Sequence, residues 1–220
     1  MKRLIFLLQI SFLILLCLTA CSDRKEHENY DKIKVGIIDT SISDNTIVDY
    51  GLNHINDIVK ENVEDDETHG AITLNIIKDN IENCEIYYST ALDSSFIGDI
   101  QNAIDSIRWC IENDVNIICM SFATTANNKE FEKVVGEASE KGIILIASCI
   151  NGSSIDCYPA MYDGVISVSE GINTNADVII EYGKNNEYEN CSELTAYVTG
   201  KIASELSKGS KDIFKILENI

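Results

Sequence analysis

Proline occurs once in the 220 residues, at Pro159, and glycine only 12 times. That excludes a collagen-like, proline-rich or linker-dominated chain. Basic residues are also scarce: 17 Lys and Arg stand against 36 Asp and Glu, for a formal net charge of −19. A surface of that sign repels nucleic acid, which is not expected as a partner, and would draw cationic peptides. Part of the charge reads simply as a solvated face. No C-x-x-C spacing is present, so nothing indicates zinc. No internal repeat and no second domain can be discerned. What is there, 45% hydrophobic and 24% charged residues, is the balance of a globular chain long enough for one domain with a core.

The first twenty residues stand apart. Lys2 and Arg3 form a short basic region, and Ile5 to Leu18 is an apolar stretch of signal-peptide length, too short for a membrane span. It ends in Leu18-Thr19-Ala20-Cys21, which resembles a bacterial lipobox. The resemblance implies cleavage before Cys21 and a lipid on its thiol, with an ordinary signal and a chance Cys as the plainer alternative. Two acyl chains suffice for stable anchoring, so the expected location is the extracytoplasmic face of a bacterial cell membrane. Losing Lys2 and Arg3 leaves 15 basic residues against 36 acidic, a formal charge of −21. Residues 21–32 are polar after Cys21 and read as a tether, which leaves 33–220 as the folded domain. About a dozen residues between Cys21 and the first strand leave no room for a folding prodomain.

Cys17 departs with the signal, leaving Cys84, Cys110, Cys119, Cys149, Cys157 and Cys191 besides Cys21. Outside the cell these are free to pair. Several sit in apolar runs, where a free Cys behaves as a small core residue. Cys149 and Cys157 are the best candidates for a disulfide.

From Lys32 onward, apolar runs alternate with helical patterns. Ile33 to Ile38 (IKVGII), 84–88, 115–120 and 143–147 read as strands buried on both faces. Shorter runs follow at 165–169 and 177–180. Between them, 69–79 carries Ile72, Ile76 and Ile77 on one face. In 96–112, Ile97, Ile100, Ile104, Ile107 and Ile111 recur at spacings of three and four. The stretch 129–141 repeats the pattern and closes on Gly142. A helix beginning near Ser192 has the stripe Leu194, Val198, Ile202 and Leu206, and a last short helix spans 211–219. Such alternation predicts an α/β fold: a mostly parallel central sheet covered by helices on both faces. Residues 40–66 and 170–191 read as loops.

In such sheets functional groups gather at the carboxyl ends of strands. Asp39 follows IKVGII directly, although an Asp there is more often a turn or cap residue. Of the three histidines, His27, His54 and His69, only His69 is followed by Gly and an apolar helix. The positive end of that helix would keep the imidazole neutral; a capping role is the plainer reading. Ser192 opens the late helix, where a Ser is usually an N-cap. Its functional reading is a nucleophile whose backbone N–H faces a developing oxyanion.

Taken together, these contexts in this order resemble the subtilisin-like (subtilase) serine protease family. Ile37-Ile38-Asp39-Thr40-Ser41 is similar to the family's Asp-Thr/Ser-Gly strand end. His69-Gly70-Ala71-Ile72-Thr73 is similar to its His-Gly-Thr-His-Val. Asn190-Cys191-Ser192-Glu193-Leu194-Thr195-Ala196 is similar to its Gly-Thr-Ser-Met-Ala-Thr-Pro. Asn116 to Phe122 resembles the family's Val-Ile-Asn-Met-Ser-Leu strand, which pairs with substrate backbone. Tyr158-Pro159-Ala160-Met161-Tyr162 with Val165 to Val168 resembles a further segment of the family, in the right order. The resemblance covers roughly 33–208 and implies a three-layer subtilisin-like fold. It also implies that Asp39 orients His69, His69 takes the proton of Ser192, and an acyl-enzyme forms and is hydrolysed. Ser121, Phe122 and Ala123 would bind substrate. The family's oxyanion hole adds an Asn side chain, here Asn151, reached only with a one-residue offset, because strict spacing puts Ile150 there. No cofactor or metal is implied by the residues: loop 40–66 holds Asp44, Asp49, Asp57, Asp65 and Asp66 without ligand spacing.

The departures shape the expected role. Asn190 stands where the family has Gly, and Asn tolerates positive φ. Cys191 replaces Thr, and Ala196 replaces Pro. Thr124-Thr125 replaces the glycines that line the primary specificity pocket, which would narrow it. The expectation is a monomeric, membrane-anchored serine endopeptidase of selective, processing type acting on a peptide or protein, by analogy with leader-removing relatives. The alternatives are a catalytically impaired subtilase-fold lipoprotein with a binding or regulatory role, and a solute-binding lipoprotein.

Overall fold

Strand β1, Ile33–Thr40, lies at the centre of the sheet because Val35-Gly36-Ile37-Ile38 carries no side chain that must reach water, and all four are buried. The computed structural model describes residues 32–42, 48–54, 68–173, 175–180, 188 and 190–220, within a compact unit spanning Asp31–Ile220. The signal, Cys21 and nearly all of the 21–32 tether lie outside the described residues. So do Asp44, Asp57, Asp65 and Asp66.

The strands are β1, β2 (Tyr50–Asn53), β3 (Cys84–Leu92), β4 (Ile117–Met120), β5 (Ile144–Ser148), β6 (Val165–Ser169) and β7 (Val178–Ile179). They form one seven-stranded sheet in the order β2-β3-β1-β4-β5-β6-β7. Every pairing in it is parallel, with Ile37 opposite Tyr88 on one side and Cys119 on the other. The helices are α1 (His69–Asn80), α2 (Ile100–Glu112), α3 (Lys129–Glu140), α4 (Cys191–Ser207) and α5 (Ile213–Leu217). Each parallel connection must cross a face of the sheet, so both faces are covered. Ile104, Ile107, Phe131 and Val134 of α2 and α3 are buried in one core with Ile38, Ile118 and Leu145. Leu74, Ile77, Val198 and Ile202 of α1 and α4 are buried in the other with Val35, Ile37 and Ile146. The expected three-layer α/β architecture is the one observed.

Several local expectations shift. Strand β2 lies inside the stretch read as a loop; its four mostly exposed residues carry no apolar alternation to betray it. Helix α2 begins at Ile100, not 96, because Asp99 caps it and Asp93 Oδ1 holds a tight turn by accepting from the amides of Ser95 and Ile97. Ile97 therefore leaves the buried stripe and is 68% exposed. Ile72 likewise faces out, since Gly70, Ala71, Thr73, Leu74 and Ile77 take the inner face of α1. All six described cysteines are free thiols, Cys149 and Cys157 included. Among the described residues no helix is long and apolar enough to cross a membrane.

Helices α1 and α4 touch through Gly200: a Cβ there would sit 2.6 Å from Asn80 Cβ and 3.1 Å from the Ile77 carbonyl oxygen. This contact fixes how α4 lies over α1. Gly200→Leu should force the helices apart and destabilise the protein by about 1–3 kcal/mol, as overpacking does. Thermal unfolding of the variant should show a Tm lower by several degrees; an unchanged Tm would refute the close crossing.

Candidate active site

The strands share one direction, so their carboxyl ends share one edge, and the candidate residues emerge there. Asp39, at the end of β1, is 1% exposed. Its Oδ1 accepts the Thr40 amide at 2.6 Å and lies 2.6 Å from His69 Nδ1. His69 is the first residue of α1, capped by Thr68, whose hydroxyl accepts from the Ala71 amide at 3.1 Å. The Thr40 hydroxyl accepts from the Gly70 amide at 3.0 Å, tying the helix start to the strand end. A Cβ on Gly70 would lie 1.9 Å from the Tyr88 hydroxyl and 2.7 Å from the Thr40 carbonyl oxygen. That explains why glycine follows His69: no side chain fits between the helix start and Tyr88, whose hydroxyl donates to Thr40 O at 2.6 Å. Phe96 meets the imidazole edge-on at 5.1 Å.

A carboxylate on Nδ1 places a proton there and leaves Nε2 as the basic atom of the neutral ring. Burial lowers the His69 pKa, but the Asp39 carboxylate, by hydrogen bond and charge, outweighs it, with Glu193 adding to the effect. The net shift is upward from 6.5. The helix start, expected to favour the neutral ring, is opposed by a carboxylate at contact distance, whose pull sets the direction of the shift. Among the described residues Asp39 Oδ2 is buried without a hydrogen-bond partner, and the carboxylate is held there through Oδ1.

Ser192 is not the cap of its helix. Asn190 is, with φ −141° and ψ 164°, an extended backbone; positive φ is not needed there, contrary to expectation. Asn190 Oδ1 accepts the Glu193 amide at 2.9 Å, and its Nδ2 donates to Glu193 Oε1 at 2.8 Å. The Leu194 amide donates to Asn190 O at 3.0 Å, and the Cys191 amide to Asn151 Oδ1 at 2.7 Å. Among the described residues, no acceptor takes the remaining first-turn amide, that of Ser192. The Ser192 hydroxyl donates to the Ser121 carbonyl oxygen at 3.0 Å, not to the imidazole. The Ser121 hydroxyl in turn donates to Ser192 O at 3.3 Å.

Asn151 stands exposed after β5, with its carbonyl engaged by α4 and its amide NH₂ left over as a donor. The one-residue offset has a packing reason: Ile150 turns into the core, and the next residue reaches the helix. Phe122 and Ala123 run on from β4, half-buried, until Thr124 pairs antiparallel with Tyr158 through two 2.8 Å bonds. Beside them opens a cavity of about 320 Å³, lined by Phe96, Ile97, Ile100, Ala103, Phe122 and Thr124 among others. Thr125, expected to line a pocket with Thr124, is exposed instead. His54 lies at the end of β2, where its amide donates to Thr90 O at 3.1 Å. Among the described residues, no cluster of three or more His, Cys, Asp or Glu could hold a metal.

Two residues that matter here carry no mark in the sequence. Thr40 belongs to the Asp-Thr-Ser strand end without an evident role, and Tyr88 in a strand is indistinguishable from core.

The family model described as "Subtilase family" matches residues 30–213. The minor extracellular protease Epr of Bacillus subtilis (strain 168) is 32% identical over 151 residues, covering 62% of this chain and 23% of that protein. A thermostable alkaline protease of Halalkalibacterium halodurans is 30% identical over 109 residues, 46% of this chain and 30% of that protein. The chain thus spans under a third of the length of these two relatives. A solved structure of a lanthipeptide protease superposes with a TM-score of 0.62 at 16% identity, covering 84% of this chain and 78% of that one.

The pKa shift has a measurable sign. A histidine raised by its partner contributes stability that is complete below pH 6.5 and lost as pH rises through its folded pKa. The His69 ring should therefore titrate above 6.5 by NMR. In Asp39→Asn, burial and the helix end remain, so the midpoint should fall below 6.5, and the pH-dependent stability increment should vanish. An unmoved midpoint would show that Asp39 does not govern the ring.

Proposed function

Because the chain belongs to the subtilase family, we propose that it is a serine endopeptidase in which Asp39, His69 and Ser192 are the catalytic residues. The observation that carries this reading is the union of the 2.6 Å Asp39–His69 contact with a Ser192 amide that finds no acceptor among the described residues, next in the chain to the Cys191 amide that bonds Asn151 Oδ1. His69 Nε2 takes the proton of Ser192 Oγ as it attacks the scissile carbonyl. A side-chain rotation releases Oγ from Ser121 O for this step. The Ser192 amide and Asn151 Nδ2 would stabilise the oxyanion. His69 then protonates the leaving amine, and water hydrolyses the acyl-enzyme. The open edge at Ser121, Phe122 and Ala123 would take substrate backbone as an added strand. Thr124, at the rim of the neighbouring cavity, restricts side chains and favours a selective, processing role, and the acidic surface favours cationic peptides.

Removal of a leader from a secreted peptide precursor fits this reading, and the structural neighbour is itself a lanthipeptide protease. The lipobox-like Leu18-Thr19-Ala20-Cys21 further suggests an enzyme tethered as a monomer to the outer face of the cell membrane, with 33–220 as its peptidase domain. A second reading, a catalytically silent subtilase fold with a binding role, draws on the Ser192 hydroxyl being bonded to Ser121 O.

A fluorophosphonate probe decides between the two. Wild type should be labelled and Ser192→Ala should not; folded wild type that takes no label would refute the peptidase reading. Asn151→Ala should lower turnover of a peptide substrate by roughly a hundred- to a thousandfold, as loss of an oxyanion donor does. In cells fed labelled palmitate, wild type should incorporate the label and Cys21→Ala should not; wild type without label would refute the lipid tether.

A further inference from the structure

The two donors assigned to the oxyanion come from separate segments. The Ser192 amide belongs to the first turn of α4, and Asn151 to the turn after β5. Donors of this kind work only when held at a fixed spacing, within about 0.5 Å of the productive arrangement. The Cys191 amide joins the segments directly, donating to Asn151 Oδ1 at 2.7 Å. It occupies the carbonyl of Asn151 and does nothing to hold the turn's own backbone.

Glu170 supplies the missing brace. It follows the last residue of β6, and its carboxylate reaches both segments at once. Oε1 accepts the amide of Gly152, the residue after Asn151, at 2.5 Å. Oε2 accepts the thiol of Cys191, the residue before Ser192. Each carboxylate oxygen thus grips the immediate neighbour of one oxyanion donor. The base of this brace is itself rigid: Ser169, its predecessor, lies in β6 and accepts the Gly171 and Asn173 amides through its hydroxyl. Burial raises the Glu170 pKa, but the Cys191 thiol and the Gly152 amide hold the group below its usual value, so it is ionised at neutral pH. The chemistry is matched. A thiol is a weak donor and needs a charged acceptor to make a firm bond. Cys191 stands where the family motif has Thr, and Glu170 is the acceptor that makes the thiol serve.

We propose that Glu170 is a positioning residue for catalysis, bracing the Asn151 turn against the Ser192 helix through Gly152 and Cys191. The inference rests on the peptidase reading above. A group placed this way touches no substrate, so its loss should affect stabilisation of the transition state more than ground-state binding.

The test compares wild type, Glu170→Ala and Glu170→Gln, each normalised to active sites titrated with a fluorophosphonate. Glu170→Ala should lose about ten- to a hundredfold in kcat, the scale of a donor displaced by up to about 1 Å, with KM within about threefold. Affinity for a peptide boronate, which forms a tetrahedral adduct on Ser192, should fall in parallel. Glu170→Gln, isosteric but uncharged, keeps one acceptor for the Gly152 amide and loses the charged acceptor of the Cys191 thiol, so its kcat should fall between those of Glu170→Ala and wild type. A merely structural role would lower Tm and the titrated fraction while leaving kcat per site unchanged; that outcome overturns the inference and leaves the peptidase reading intact. If folded wild type shows no turnover dependent on Ser192, the peptidase reading fails and the inference with it. The brace has a readout without turnover as well: in a Ser192→Ala background, the NMR signal of the Gly152 amide proton should move upfield on Glu170→Ala. No movement would overturn the brace.

Discussion

Because every strand runs the same way, every residue that follows a strand end is delivered to the same edge of the sheet. The site depends on that constraint. Asp39 comes from the end of β1, Ser121 from beyond β4, Asn151 from beyond β5 and Glu170 from beyond β6. They are separated in sequence by tens of residues and brought together by ladder register alone. The two remaining pieces, His69 and Ser192, come from the amino ends of α1 and α4, which the crossovers bring to that same edge. Helix starts carry unpaired amides, and strand ends carry side chains and free carbonyls. Their meeting creates a place where a hydrogen bond is either made across segments or left for a substrate. Most are made: Gly70 to Thr40, Cys191 to Asn151, Ser121 to Ser192. The Ser192 amide is the informative exception.

Much of this was legible in the sequence because burial on both faces leaves a strong mark. Ile33 to Ile38, 84–88 and 143–147 are continuous apolar runs, and a strand inside a doubly covered parallel sheet can hardly be written otherwise. The stripes of α2 and α3 were equally plain. Asp39 and His69 stood out because each sits at the boundary of such an element. What could not be read was set by contacts of single atoms. Strand β2 is exposed and short, so only its pairing with β3 defines it. The start of α2 depends on the turn held by Asp93. Asn151 against Ile150 was undecidable by spacing, because the choice turns on which of two adjacent side chains faces the core. Glu170 lay in a stretch read as polar loop, and nothing in its neighbours marks it, since its two partners are 18 and 21 residues away.

The electrostatics of the site follow from contact, not from the overall charge. The formal charge of −19 sets the sign of the surface field, but solvent and salt screen it beyond about 10 Å. The direction of the His69 shift is set by one buried carboxylate oxygen at 2.6 Å. Desolvation and the helix start both disfavour the imidazolium, yet the carboxylate prevails because its bond to Nδ1 lies where water is excluded. The same reasoning covers Glu170, whose burial is offset by two donors aimed at its oxygens.

The altered residues around Ser192 read differently once these contacts are known. Asn190, Cys191 and Glu193 look in sequence like erosion of a motif. In the structure each has a polar partner: Asn190 Oδ1 caps the helix at the Glu193 amide, its Nδ2 donates to the Glu193 carboxylate, and the Cys191 thiol donates to Glu170. An eroded motif would be expected to leave unpaired polar groups or a filled apolar gap at the helix start, since nothing would maintain the pairings. Here the substituted thiol has acquired a carboxylate from another strand end, and the cap uses both polar ends of the Asn190 side chain. The Ser192 amide is left as the first-turn donor without an acceptor among the described residues, because its neighbours are satisfied elsewhere. That pattern favours the proposed peptidase reading over the silent one.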